Sequence, residues 1–367
     1  MNECFIKVGI KTLGTPIIEY GEDYATIKNV LIGDGFHWQQ NIQAKFPGKV
    51  IHADSGNKEN ISLINVLPLE KYLECVVGSE MNPLAPPEFL KAHAVISRSW
   101  ALGKILGIHQ SDDYGRIDNE NTLVGWDDTA SHYGFNVCSD DHCQRYQGLQ
   151  PISKEALKAI HETEGEVLKD LHGNLIDARF SKCCGGQTEL FSTCWQSRDE
   201  TCLKSISDPW CDLSSLPLDK REAILSIILK DYDKISTNNY GYSWETEISK
   251  KTVGENLKKH FGRDIGDITL LEPMERGSSG RISLLRLHGT KSTLDIGKEL
   301  WIRRLLSDTH LYSSAFYIED HGQTVLLKGK GWGHGVGLCQ IGAANMAING
   351  FNYREILSFY YPESIVG

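Results

Sequence analysis

Every second residue from Gly329 to Gly337 is glycine, in the run GKGWGHGVG, and no other stretch restricts the fold as strongly. In an extended strand successive side chains point to opposite faces. Lys330, Trp332, His334, Val336 and Leu338 would then share one face, and the other face would be bare. A bare face lets a second backbone or a ligand come close. Glycine also takes backbone angles that other residues avoid, so the run reads equally well as a loop. A phosphate-binding loop is the competing use of such glycines. The run lacks the closing Gly-Lys-Ser/Thr, and no acidic residue is placed as a dinucleotide fold requires. His334 reads either as a proton-transfer or substrate-bonding residue or as a satisfied core histidine. The helix-like CQIGAANMAING follows, with Gln340 in its first turn beside the glycines.

The remaining pattern indicates an α+β protein, with mixed small sheets and helices and an inserted second α/β subdomain forming a cleft. Residues 1–66 carry short β-type runs such as FIKVGI and ISLINVLPL, the N-terminal part of the core. Residues 67–215 hold two helices joined by NPLAPP, a polar stretch and a cysteine-rich segment. Residues 216–320 read as the inserted unit, and 321–367 return to the core. A formal charge of −10 without a basic run argues against nucleic acid as a partner. No run of 18 apolar residues predicts a membrane helix. The start, MNECFIKVGIKTLG, shows no signal peptide, which fits a cytoplasmic protein or a mature exported one. Five of the ten cysteines, at 183, 184, 194, 202 and 211, crowd into one segment. They would form disulfides in an oxidising compartment, and metal ligands or thiols in a reducing one.

In LPLEKYLECVVGSEMNP, Leu69, Tyr72, Leu73, Val76 and Val77 follow the helical spacing, and Glu80 is the next position of the same stripe. A carboxyl group on an inward face has its charged form disfavoured and its pKa raised, which suits a general acid. The alternative is an exposed residue at a frayed helix end. On the second helix Ala94, Arg98, Ala101 and Ile105 share a face. Arg98 there calls for a carboxylate or ligand oxygen, or else snorkels to solvent. His132, Cys138, His142 and Cys143 form H-x5-C-x3-H-C. Two thiolates and two imidazoles suit Zn2+, as a closed structural site with four protein ligands or a catalytic one with three and a water.

LPLEKYLECVVGSEM, PEFLKAHAVISRSWAL, ARFSKCCGGQTE and GWGHGVGLCQIGAANMAINGFNYREILSFYYP occur in that order. Together they resemble the stage II sporulation protein D family, also called amidase-enhancer or LytB-like. GRISLLRLHG before a WIRRLL helix fits that family's inserted region. The resemblance implies a peptidoglycan lytic transglycosylase with Glu80 as its single acid/base. It places the family's helix arginine at Arg98 and supports zinc at His132, Cys138, His142 and Cys143. Ser181, Lys182, Trp332, His334 and Gln340 become candidate substrate residues. Two positions depart from the pattern: Phe180 replaces a tyrosine, and Cys339 replaces a serine.

Under that reading a protonated Glu80 donates to the oxygen between N-acetylmuramate and N-acetylglucosamine. The sugar's own 6-hydroxyl then closes a 1,6-anhydro ring. Trp332 would stack on a sugar face, and Arg98 would hold an acidic group or orient Glu80. Two other classes fit the same residues: a non-catalytic glycan-binding activator of a cell-wall amidase, and a zinc-dependent hydrolase. The implied partners are glycan strands and other cell-wall hydrolases. The implied location is exported, periplasmic or cell-wall associated, with any signal or anchor outside this sequence.

Overall fold

The computed structural model describes residues 4–34, 39–53, 61–108, 115–126, 132–139, 143–198, 200–228 and 242–367. The N-terminal strands are β1 (Phe5–Tyr20), β2 (Tyr24–Ile32), β3 (Gln40–Pro47), β4 (Lys49–His52) and β5 (Ile61–Pro68). They form an antiparallel sheet in the order β3-β2-β1-β5-β4. β1 pairs with β5 through its first half and with β2 through its second. Its alternating Ile6, Val8 and Ile10 point into the core.

The predicted helix pair follows directly. α1 (Leu69–Glu80) buries Leu69, Tyr72, Leu73, Val76, Val77 and Glu80, the whole anticipated stripe. α2 (Pro87–Ile105) starts with proline in its first turn, where a missing N–H costs nothing. It is buried around nearly its full circumference and packs against α1, α3 (Lys154–Glu162), α8 (Gln340–Ile348) and α9 (Tyr353–Tyr360). Phe180–Ser181 and Leu338–Cys339 pair as a short parallel ladder, which carries the C-terminal segment back to the centre of the core.

A second core gathers Leu123, Trp244, Leu271, Leu285, Ile296, Phe316 and Leu327. Its strands are Ser243–Ser249, Phe316–Asp320 and Thr324–Lys330 in one sheet, and the hairpin Ile268–Arg276 with Ile282–Gly289 in another. Thr293–Gly297 extends the hairpin sheet and pairs in parallel with Thr122–Val124. α6 (Lys250–Phe261) and α7 (Glu299–Leu305) cover it, while α4 (Phe191–Cys194) approaches from the first core. The inserted unit therefore differs from residues 216–320. α5 (Leu218–Ile228) places Ile224, Leu225 and Ile228 in the first core, against α8. Val325 and Leu327 alternate inward and join the second.

The glycine run is not a strand throughout. The ladder with Ser243–Ser249 ends at Lys330, and Gly331, Gly333, Gly335 and Gly337 take φ of +81°, +90°, +76° and +71°. One residue in two is thus left-handed, a backbone that only glycine adopts cheaply. The loop encloses a fully buried arginine, Arg281. The Arg281 guanidinium donates to Gly333 O (3.0 and 3.1 Å), Cys184 O (3.1 Å) and Ser279 Oγ (2.8 Å). A Cβ on Gly335 would lie 2.5 Å from its Cζ. Beside it the buried Glu189 carboxylate accepts from Ser278 N–H, Ser279 N–H and Ser279 Oγ at 3.0, 3.0 and 2.6 Å. The two cores are locked together through this turn. No helix among the described residues is long and apolar enough to cross a membrane.

Candidate functional site

Glu80 closes α1 and is only 7% exposed. Its Oε2 lies 3.1 Å from Lys182 Nζ, and its Oε1 accepts the Arg145 backbone N–H at 3.3 Å. Burial pushes the carboxyl up, but Lys182 first, then Arg145 and, once protonated in acid, His93 outweigh it and hold it down, at about 2. This corrects the expectation that an inward position alone would keep Glu80 protonated. A cation from a distant segment decides its charge, and the local spacing does not reveal that cation.

Lys182, a candidate substrate residue because it lies beside the altered Phe180 position, turns its ammonium to Glu80. It also donates to Ile228 O (3.4 Å) at the end of α5. The neighbouring Ser181 is buried, and its Oγ has no hydrogen-bond partner among the described residues. Gln340, in the first turn of α8, directs its Nε2 to His93 Nε2 at 3.2 Å, and its Oε1 is likewise without a partner. His93 is fully buried, with Nδ1 3.3 Å from Ser97 Oγ and its ring edge-on to Phe180. Burial lowers its pKa to about 4 despite the opposing charge of Glu80, so the imidazole is neutral at neutral pH. The reading from sequence missed His93; the i, i+4 spacing of His93 and Ser97 on α2 is the one signal that could have marked it.

His132, Cys138 and Cys143 converge, their ligand atoms all within 4.8 Å of one another; His142 lies outside the described residues. His132 Nδ1 is 3.2 Å from Asn136 O, which leaves Nε2 toward Cys143 Sγ at 4.0 Å. This is the arrangement of a metal-ligating histidine whose other nitrogen is held by a carbonyl. Soft thiolates with an imidazole fit zinc. The chain leaving Cys143 supplies the Arg145 N–H to Glu80, the Gln144 Oε1 that accepts from Tyr72 (3.0 Å), and the Gln147 N–H to Ser79 Oγ (3.1 Å). A metal here would fix the strip of backbone that touches α1.

Three expected substrate residues do not join this group. Arg98 is buried and bidentate to Glu70 (2.7 Å twice), and it donates to Glu166 O and Ile160 O as well. Glu70 sits at the opposite end of α1, about 15 Å from Glu80 at the usual rise per residue. Arg98 is thus a clamp between α1, α2 and the chain after α3. Trp332 is buried edge-on to Tyr312 and bonded through its backbone to Cys183, so no face is open for a sugar. His334 is edge-on to Trp195, its Nδ1 accepts from Val336 N–H (3.0 Å), and burial followed by Arg179, Arg281 and Arg303 holds it well below the usual histidine range. It serves the glycine loop. None of Cys183, Cys184, Cys194, Cys202 and Cys211 is in a disulfide. A cavity of about 420 Å³ lies in the second unit, lined by Trp244, Arg276, Tyr317 and Lys328, away from Glu80.

Residues 57–169 match the family described as Stage II sporulation protein, and residues 189–337 match a domain of unknown function, DUF8618. An uncharacterized protein of Brachyspira hyodysenteriae is 26% identical over 303 residues, 83% of this chain and 67% of that protein. Stage II sporulation protein D of Bacillus amyloliquefaciens is 26% identical over 303 residues, 82% of this chain and 74% of its own. The amidase enhancer of Bacillus subtilis is 26% identical over 240 residues, 56% of this chain and 31% of its own. The segment that holds Glu80, His93, Arg98 and the His/Cys cluster is therefore the part that matches the Stage II sporulation protein family, in a chain similar over most of its length to stage II sporulation protein D.

Proposed function

We propose that this protein acts on the bacterial cell wall as an exported lytic transglycosylase. It would cleave glycan strands between N-acetylmuramate and N-acetylglucosamine, with Glu80 as the single acid and base. The observation that carries the reading is the composition of the Glu80 site. Among the described residues the groups acting on this buried carboxylate are Lys182, Arg145 and His93, with no second carboxylate. A glycosidase that uses water needs a pair of carboxyl groups about 5–9.5 Å apart. A transglycosylase needs one.

The resting ion pair sets the first step. A glycan entering beside Ser181 and Gln340 draws Lys182 away, and burial then favours the protonated acid. Glu80 gives its proton to the glycosidic oxygen, the C1–O bond breaks, and positive charge develops at C1. The carboxylate next takes the proton of the 6-hydroxyl as O6 bonds to C1, which gives the anhydro end and consumes no water. Neutral His93 holds the Gln340 amide in place for sugar hydroxyls. Zinc bound at His132, Cys138 and Cys143 would supply a rigid structural centre.

A second reading rests on the same ion pair. A carboxyl group held at about 2 is a poor acid at neutral pH, and a relative bears the name amidase enhancer. The chain would then bind glycan and activate another wall hydrolase. Mass spectrometry of purified glycan strands separates the readings. Anhydro-muramate ends from the wild type and none from Glu80→Gln establish the transglycosylase. Intact strands with retained glycan binding establish the activator, and reducing ends would mean hydrolysis.

A further inference from the structure

Behind Lys182 and Gln340 lies a cluster that the glycan reading does not use. Cys184, Asp208, Cys211 and Cys339 are all buried, with their ligand atoms within 4.8 Å of one another. Cys339 Sγ is 3.5 Å from Cys211 Sγ, and Cys184 Sγ is 3.2 Å from Asp208 Oδ2. Four ligands at the corners of a zinc tetrahedron with Zn–S near 2.3 Å stand about 3.8 Å apart, so the cluster is already near coordination spacing. The fifth neighbour, Cys183, touches Cys211 at 3.3 Å but lies outside the set.

The surroundings are built to hold charge in place. The Asp208 carboxylate accepts from Tyr360 Oη (2.9 Å) and from the Trp210 and Cys211 N–H groups (3.0 and 3.2 Å). These partners are neutral, and a buried carboxylate with only neutral partners is costly. The Cys184 N–H points at Cys339 Sγ (3.3 Å), as amides do toward metal-bound thiolates. Gly342 on α8 makes room: a Cβ there would lie 2.6 Å from Asp208 Oδ2 and 2.1 Å from Tyr360 Oη.

We propose that Cys184, Asp208, Cys211 and Cys339 form a second metal site, structural and selective for a thiophilic divalent cation of the zinc class. It is separate from the His132–Cys138–Cys143 cluster and does not depend on the glycan-cleavage reading. Three thiolates and one carboxylate fill a tetrahedron, so no position is open for catalysis. The metal would tie the segments 181–184 and 338–340, which flank the short parallel ladder, to the loop at 208–211. Gln340 follows Cys339 directly and Lys182 lies two residues before Cys184, so the metal would hold both against Glu80 and His93. It also accounts for Cys339 where the family pattern has serine.

The test uses the full chain purified under reducing conditions. Zinc content is measured by mass spectrometry, and the chain is reloaded with Co2+ for its visible and near-ultraviolet spectrum. Cys138→Ser/Cys143→Ser removes the first cluster. The folded double variant is expected to keep one equivalent of zinc and to show a thiolate-to-cobalt charge-transfer band. Adding Cys211→Ser should abolish both, and adding Cys183→Ser should leave both. Cys339→Ser in the otherwise wild-type chain is the milder variant, and it should lower zinc affinity at this site about tenfold or more in chelator competition. No metal in the folded double variant, unchanged affinity in Cys339→Ser, or a Cys183–Cys211 disulfide in the folded metal-free protein would overturn the proposal.

Discussion

Replacing Lys182 with methionine leaves Glu80 buried without its cation. The stem packs much as before, so the change is mainly electrostatic. At 3.1 Å and an effective dielectric near 20, the pair attracts by ~5 kcal/mol, falling to ~1.3 kcal/mol at the dielectric of water. Lys182 and Glu80 are 19% and 9% exposed at their side chains, so a value between the limits, about 2–3 kcal/mol, is expected. That corresponds to a rise of about two pH units in the Glu80 pKa from about 2. The sign follows from linkage. A carboxyl group depressed in the folded state stabilises the fold above its unfolded pKa, and this stability is lost as pH falls toward the folded value. The wild type should therefore lose stability between about pH 4.3 and pH 2 through this group. Lys182→Met should be about 2–3 kcal/mol less stable at pH 7, and the difference should close in acid. Urea unfolding from pH 7 to pH 2.5 reads both limbs. A constant difference across that range would refute the assignment of the ion pair as the main influence on Glu80.

Arg98→Met removes the partner of Glu70 and strands two carbonyls. Glu70 is 34% exposed, so a loss of about 2–3 kcal/mol is expected in urea unfolding, below the full cost of breaking a buried pair. Glycan binding by the folded fraction should persist. Gly335→Ala meets both a left-handed φ and the Arg281 guanidinium, and should cost about 2–5 kcal/mol. Gly322→Ala, with φ of +79° and open space, should cost about 1–2 kcal/mol; equal costs by thermal melting would argue against the crowded arginine. His93→Gln should flatten the fall in stability between about pH 6.5 and pH 4, because a histidine held at about 4 resists protonation that the unfolded chain accepts. Cys143→Ser should lower bound zinc by one equivalent relative to wild type, read by elemental analysis. Unchanged content would show that the His132 cluster holds none.

The periodic parts of the chain were legible. Leu69 through Glu80 formed the predicted helix because its apolar positions repeat at 3.6 residues and its other face is polar. What could not be read were charges brought in from afar. Nothing near Glu80 in sequence announces Lys182, 102 residues away. The glycine run left strand and loop equally open in the sequence, because alternation suits a pleated strand and equally suits a loop with every second residue left-handed. Its actual constraint, Arg281, lies in another unit. Arg98 and Trp332 matched expected positions in the motifs, but their partners turned out to be internal.

Burial of α2 on every side has a further consequence, for how the chain reaches its native state. The Gln340–His93 contact spans 247 positions, and the Glu88 bond to the start of α9 spans 265. Such long-range closures slow folding, because chain entropy is lost before the contacts form. Until α8 and α9 arrive, α2 presents an apolar circumference covered on one side only. A half-emerged chain therefore offers a hydrophobic rod to its neighbours, and partial products ending before α8 should aggregate before they misfold into anything stable. Yield in overproduction would then depend on how fast the last segments are delivered.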